Sequence, residues 1–171
     1  MSFLGMVLGF WALLAVPPLR RRRVLGSTRD RARYAIALGF VVTGITHFVT
    51  PGRFLPMMPP WLPWHLELVY ISGFVELAGA IGLLMPRLAR PAALGLALLL
   101  LAVFPANLHA ALTGGQATGM PSAPWYLWLR LPFQAVYIAW LLFTMPRPVS
   151  SRAHDQVAAP LHDRALDAHA R

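Results

Sequence analysis

Glu76 is the residue on which any chemistry in this chain would turn. It lies in Leu68 to Met85, LVYISGFVELAGAIGLLM, an apolar run broken by that single carboxylate. A carboxylate in such a run costs several kcal/mol unless it is paired or takes up a proton, and it marks a candidate site by default. Other polar side chains interrupt the neighbouring apolar runs. His47 stands near the end of one, with Thr43 and Gly44 on its helix face, and Asn107 stands near the end of another. In the last run Arg130 and Gln134 are one turn apart, and Tyr137 extends their stripe. A bundle of these runs would collect His47, Glu76, Asn107, Arg130 and Gln134 in one layer, and the first pairing to expect is Glu76 with Arg130. Such a layer can bind the polar end of a ligand, exchange protons, or fix helix register without performing chemistry. Arg130 is also close enough to its helix end to snorkel to the interface. His109 lies two positions from Asn107, about 200° round a helix, so the two cannot face the same partner.

The elements that must position these groups follow from composition and punctuation. The 171 residues are 57% hydrophobic and 12% charged, where a soluble domain carries about 25% charge. This is the composition of an integral membrane protein. Five apolar runs are expected to span: Ser2–Leu19, Tyr34–Thr50, Leu68–Met85, Ala92–Leu112 and Trp125–Met145. The first has its charge after the apolar core, at Arg20 to Arg23, and ends in Pro17-Pro18, so it reads as a retained anchor and not a cleaved signal. Residues 1–19 are then an N-terminal anchor, 20–33 a basic cytoplasmic linker, 34–145 a four-helix membrane domain and 146–171 a polar cytoplasmic tail. The segment PGRFLPMMPPWLPWHL, Pro51 to Leu66, holds five prolines and two tryptophans and reads as a cap at the membrane surface. Ser72, Gly73, Gly79 and Ala80 share the face of Glu76 and turn it into the bundle. Its carboxyl then lies about 12 Å below the capped surface.

The charge pattern orients the bundle. All fifteen basic residues are Arg, and thirteen fall on one side, in the 20–33 linker, the turn at 86–91 and the tail; only Arg53 and Arg130 fall on the other. Basic loops stay cytoplasmic, so the N-terminus is expected outside and the C-terminus inside. The same asymmetry explains the net charge of +9 without a nucleic-acid partner. Cysteine is absent, which excludes disulfides, thiolate metal sites and thiol redox chemistry in this chain, and no metal site is expected.

The stretch from Gly44-Ile-Thr-His47-Phe48 through Met58-Pro59-Pro60-Trp61-Leu62-Pro63-Trp64-His65-Leu66-Glu67-Leu68-Val69-Tyr70 to Ser72-Gly73 and Glu76 resembles the DoxX-like integral membrane proteins. Gly82-Leu83-Leu84, Pro86 and Ala102-Val103-Phe104-Pro105-Ala106-Asn107 are similar to the same group, so the resemblance covers about Arg33 to Met145. It implies an all-α membrane protein: a four-helix transmembrane bundle of DoxX-like type, here with one additional N-terminal transmembrane helix, in a bacterial inner membrane. It also implies a redox setting, with quinone as the candidate cofactor and a membrane or periplasmic redox protein as the candidate partner. Three functions stay open: a redox-associated subunit that binds quinone in the polar layer, a proton-coupled small-molecule transporter working through Glu76, and a non-catalytic scaffold. A haem held by His47 and His109 is a fourth and thinner reading, since two histidines at similar depth are its whole support.

Overall fold

A computed structural model describes residues 3–15, 27–114 and 124–145. Among the described residues the α-helices are α1 (Phe3–Leu14), α2 (Thr28–Val49), α3 (His65–Leu84), α4 (Ala89–Thr113) and α5 (Pro124–Thr144), with no strand. Two 3-10 turns, Pro51–Arg53 and Leu55–Met57, lie between α2 and α3. The expected tail, and residues 20–26 of the expected linker, lie outside the described residues.

The long helices α2 to α5 run for 22, 20, 25 and 21 residues, or about 30 to 38 Å at 1.5 Å per residue, enough to cross a hydrocarbon core of about 30 Å. Their outer faces carry large exposed apolar side chains such as Ile71, Phe74, Ile81, Leu98 and Leu101. In water such a surface would be a liability; facing lipid it is the ordinary exterior of a multi-pass bundle.

Two observations concern the N-terminal third. First, α2 begins at Thr28, six residues ahead of Tyr34, where the apolar run starts. The Ser27 side chain caps it, accepting the Arg29 backbone N–H at 3.2 Å. Arg33 pairs with Asp30 at 2.9 Å and Arg31 donates to the Thr28 hydroxyl at 3.0 Å, while the Nε of each arginine is covered without a hydrogen-bond partner. Arg31 and Arg33 are each only 9% exposed, so these residues are packed helix and not a solvated linker. Second, the described helix α1 has 12 residues, about 18 Å, and lies inside the expected run Ser2–Leu19, whose residues 16–19 are outside the described residues. It stops in a tightened turn, where the Ala15 N–H is shared between the carbonyls of Trp11 and Ala12. This helix packs on the bundle: Val7 is fully buried in the core, with Phe10, Trp11 and Leu14 against it.

The four long helices form a ring in chain order, α2 on α3, α3 on α4, α4 on α5, and α5 back on α2. At the basic end the ring is closed by Trp140, whose indole N–H donates to the Ala32 carbonyl at 3.0 Å, and by the Arg29 guanidinium over the Phe143 ring at 5.1 Å. The apolar core fills this half, around Ile36, Phe40, Leu83, Leu96 and Leu141. The capped half is where the polar residues collect.

Close approach of α2 and α3 depends on two glycines. A Cβ on Gly73 would lie 2.5 Å from the His47 Cβ, and one on Gly44 would lie 2.8 Å from the Leu77 Cγ. Without side chains at these positions the helices meet nearly backbone to backbone, and His47 and Glu76 come within reach of each other. The segment after α2 runs back over the bundle. It ends at Trp64, whose φ of 57° places it in the left-handed region, and the His65 ring Nε2–H donates to the Pro59 carbonyl at 3.0 Å to hold the turn.

Candidate functional site

The polar layer resolves into two groups under one cap. The first lies between α2 and α3. The Nδ1 of His47 is 2.8 Å from the Thr43 carbonyl. A carbonyl only accepts, so Nδ1 carries the hydrogen and, in the neutral ring, Nε2 is left as an acceptor. The same Nδ1 stands 3.8 Å from Glu76 Oε2, an ionic neighbour beyond hydrogen-bonding distance. The Thr43 hydroxyl stands beside the Glu76 carboxyl but turns back to its own helix, 3.2 Å from the Gly39 carbonyl and 3.3 Å from that of Phe40. Oε2 itself is covered and has no hydrogen-bond partner, while the Glu76 side chain as a whole keeps 13% exposure. The Phe54 ring lies flat on the His47 imidazole, centroids 4.1 Å apart and planes 9° from parallel.

The second group lies between α4 and α5. Asn107 Nδ2–H donates to Gln134 Oε1 at 3.2 Å, and Gln134 Nε2–H donates to the Leu100 carbonyl. Pro105 explains why α4 accepts a side chain here: it has no N–H for the carbonyl of Leu101, and the helix is weakened on this turn. Gln134 and Asn107 thus satisfy each other and the helix beside a proline. Gln134→Leu is expected to lower stability by about 1–2 kcal/mol, because it strands the Asn107 amide and removes the second donor on the Leu100 carbonyl. Thermal unfolding in detergent measures it, and Asn107→Leu on top of Gln134→Leu should cost little more.

Arg130 belongs to neither group. Its Nη1 donates to the Met57 sulfur at 3.5 Å, and Tyr126 and Tyr137 are its electrostatic neighbours. No ion pair joins it to Glu76, which corrects the first expected pairing. The cause is topological: α3 and α5 sit across the ring and do not pack on each other, so equal depth does not bring their side chains together. Arg130 instead fastens the cap, whose Met57 is buried with Ala110 of α4. One 3-10 turn therefore links the first group to Arg130, with Phe54 over His47 at one end and Met57 against Arg130 at the other. Sequence reasoning passed over both contacts. The prolines Pro51 and Pro56, which start the two 3-10 turns, are the signal that the segment is rigid enough to make them.

Among the described residues no three His, Asp or Glu side chains cluster as a metal site. The family described as a domain of unknown function (DUF8561) matches residues 36–145. The chain belongs to the DUF8561 family. No curated protein and no solved structure matches it. The DUF8561 region takes in nearly all of the four-helix ring, the cap and both polar groups, whereas α1 lies ahead of it.

Proposed function

We propose that this DUF8561 protein is a multi-pass membrane subunit that binds the ring of a lipid-phase quinol between α2 and α3, with His47 and Glu76 as the polar end of the site. The observation that carries this reading is Glu76 Oε2, a covered acceptor with no donor. The neighbouring donors are committed elsewhere, His47 Nδ1–H to the Thr43 carbonyl and the Thr43 hydroxyl to the Gly39 and Phe40 carbonyls, and His47 Nε2 is a second acceptor. What completes two acceptors is a ligand that donates, and a quinol hydroxyl does. Phe54 is the natural ring neighbour; it moves aside to admit the ligand, since it now covers His47. Oxidation of a bound quinol to quinone releases two electrons and two protons. Glu76 and His47 are placed to take the protons, and the electrons pass to a membrane or periplasmic redox partner. The protein is then a subunit of a quinone-dependent system and not a stand-alone enzyme.

The resemblance to DoxX-like proteins supports the redox setting and a bacterial inner membrane. The arginine asymmetry supports a cytoplasmic basic end, with the C-terminus inside, the N-terminus outside and the His47–Glu76 pair toward the outer face. The closed Asn107–Gln134–Leu100 group favours a second, scaffold reading for the α4–α5 half, since it satisfies itself and offers nothing to a ligand.

The reading is tested by titrating the detergent-solubilised protein with a short-chain quinol and with its quinone, following tryptophan fluorescence. The quinol should bind the more tightly, and the double variant His47→Ala with Glu76→Gln should lose about ten-fold or more in affinity, as expected when one charge-assisted and one neutral hydrogen bond are removed. Binding that is unchanged in the double variant contradicts the reading.

A further inference from the structure

On the lipid-facing side of α3 and α4, away from the polar groups, runs an apolar groove of about 310 Å³ lined by Val75, Ala78, Gly79, Gly82, Gly95 and Leu96 among others. It is open along its length because small residues face each other across the two helices. Gly79 and Gly82 draw the helices together, a Cβ there meeting Leu96 at 2.5 Å and Ala92 at 2.7 Å, whereas a Cβ on Gly95 would meet nothing within 4 Å. Gly95 thus adds nothing to helix packing; what it leaves is the space of the groove.

The groove ends at the α3–α4 turn, where Leu88 and Pro91 line it. The residues that alternate with them, Arg87 and Arg90, are exposed and have no ion-pair or hydrogen-bond partner among the described residues. Arg29, Arg31 and Arg33 stand at the same end of the bundle, where the acidic residue described, Asp30, is already paired with Arg33. An apolar groove at membrane depth that ends at a turn carrying two exposed arginines, unpaired among the described residues, has the charge pattern of a phospholipid: acyl chain along the helices, phosphate at the basic turn. We propose that the α3–α4 groove is a binding site for an anionic phospholipid, whose acyl chain lies against Gly82 and Gly95 and whose phosphate is held by Arg87 and Arg90. The site is independent of the His47–Glu76 pair.

Native mass spectrometry of the full chain in detergent, titrated with phosphatidylglycerol or phosphatidylcholine, tests this. Phosphatidylglycerol should be retained preferentially, and its binding should weaken about five-fold for each arginine removed in Arg87→Gln with Arg90→Gln. Gly95→Leu should fill the groove and displace the lipid while helical content by circular dichroism stays unchanged. Arg53→Gln, which removes an exposed charge at the capped end, should leave binding as it is. Equal retention of both lipids, phosphatidylglycerol binding that survives Gly95→Leu, or a dimer that Gly95→Leu separates would each overturn the proposal, the last by showing that a second copy occupies the groove.

Discussion

Gly73→Ala is expected to destabilise the bundle by about 1–3 kcal/mol, the usual cost of forcing one extra carbon into a tight contact, and to do so although alanine is the better helix former. The added Cβ would stand 2.5 Å from the His47 Cβ, 3.0 Å from Phe48 Cε2 and 3.2 Å from the Gly44 carbonyl. Two of these three atoms are fixed to the α2 backbone, so no rotamer change relieves the clash and α2 must move. Gly95→Ala is the control. It meets open space, so the intrinsic helix preference of alanine, about 1 kcal/mol, should appear as a gain. Thermal unfolding of both variants in detergent, side by side, should give shifts of opposite sign. The consequence for the site is direct, because the same Cβ that separates α2 from α3 carries His47 away from Glu76.

Glu76→Met is expected to act the other way and raise stability by about 1–3 kcal/mol, the cost of an unsatisfied buried polar group. The substitution keeps length and volume, removes a covered oxygen that has no partner, and strands nothing, since His47 keeps its bond to the Thr43 carbonyl and the Thr43 hydroxyl keeps the Gly39 and Phe40 carbonyls. A polar residue held for register behaves as Gln134 does, and its loss destabilises. A residue kept at a cost to the fold is kept for what it binds. Thermal unfolding of Glu76→Met in the ligand-free protein measures the sign, and a loss of stability would assign Glu76 to the structure alone.

The four long helices were legible because each is an apolar run of membrane-spanning length closed by proline, glycine or arginine, as at Pro51-Gly52 and Pro86-Arg87. Their ends were not legible to the residue. The start of α2 was hidden by Asp30, Arg31 and Arg33, which read as linker until Ser27 is seen to cap them and Asp30 to pair within the turn. α1, Phe3–Leu14, falls inside the apolar run Ser2–Leu19 that composition marks out. The polar residues were placed at the right end of the bundle by depth alone, since distance along a helix follows from residue count. Which of them touch depends on ring order and on the rotation of each helix, and neither is written in hydropathy. Gly44 and Gly73 select His47 for Glu76 by bringing α2 against α3, while Arg130, across the ring on α5, is left to the cap. The Asn107–Gln134 bond follows the same rule, joining residues on adjacent helices.

The central claim is that the His47–Glu76 pair is the polar end of a ligand site, and mass spectrometry of the small molecules that co-purify with the protein tests it most directly. Wild type and Glu76→Gln are solubilised and purified in parallel from the same membranes. The account predicts a quinol or quinone retained by the wild type and lost from the variant. Lipid alone with both proteins, or the same quinone with both, would contradict it.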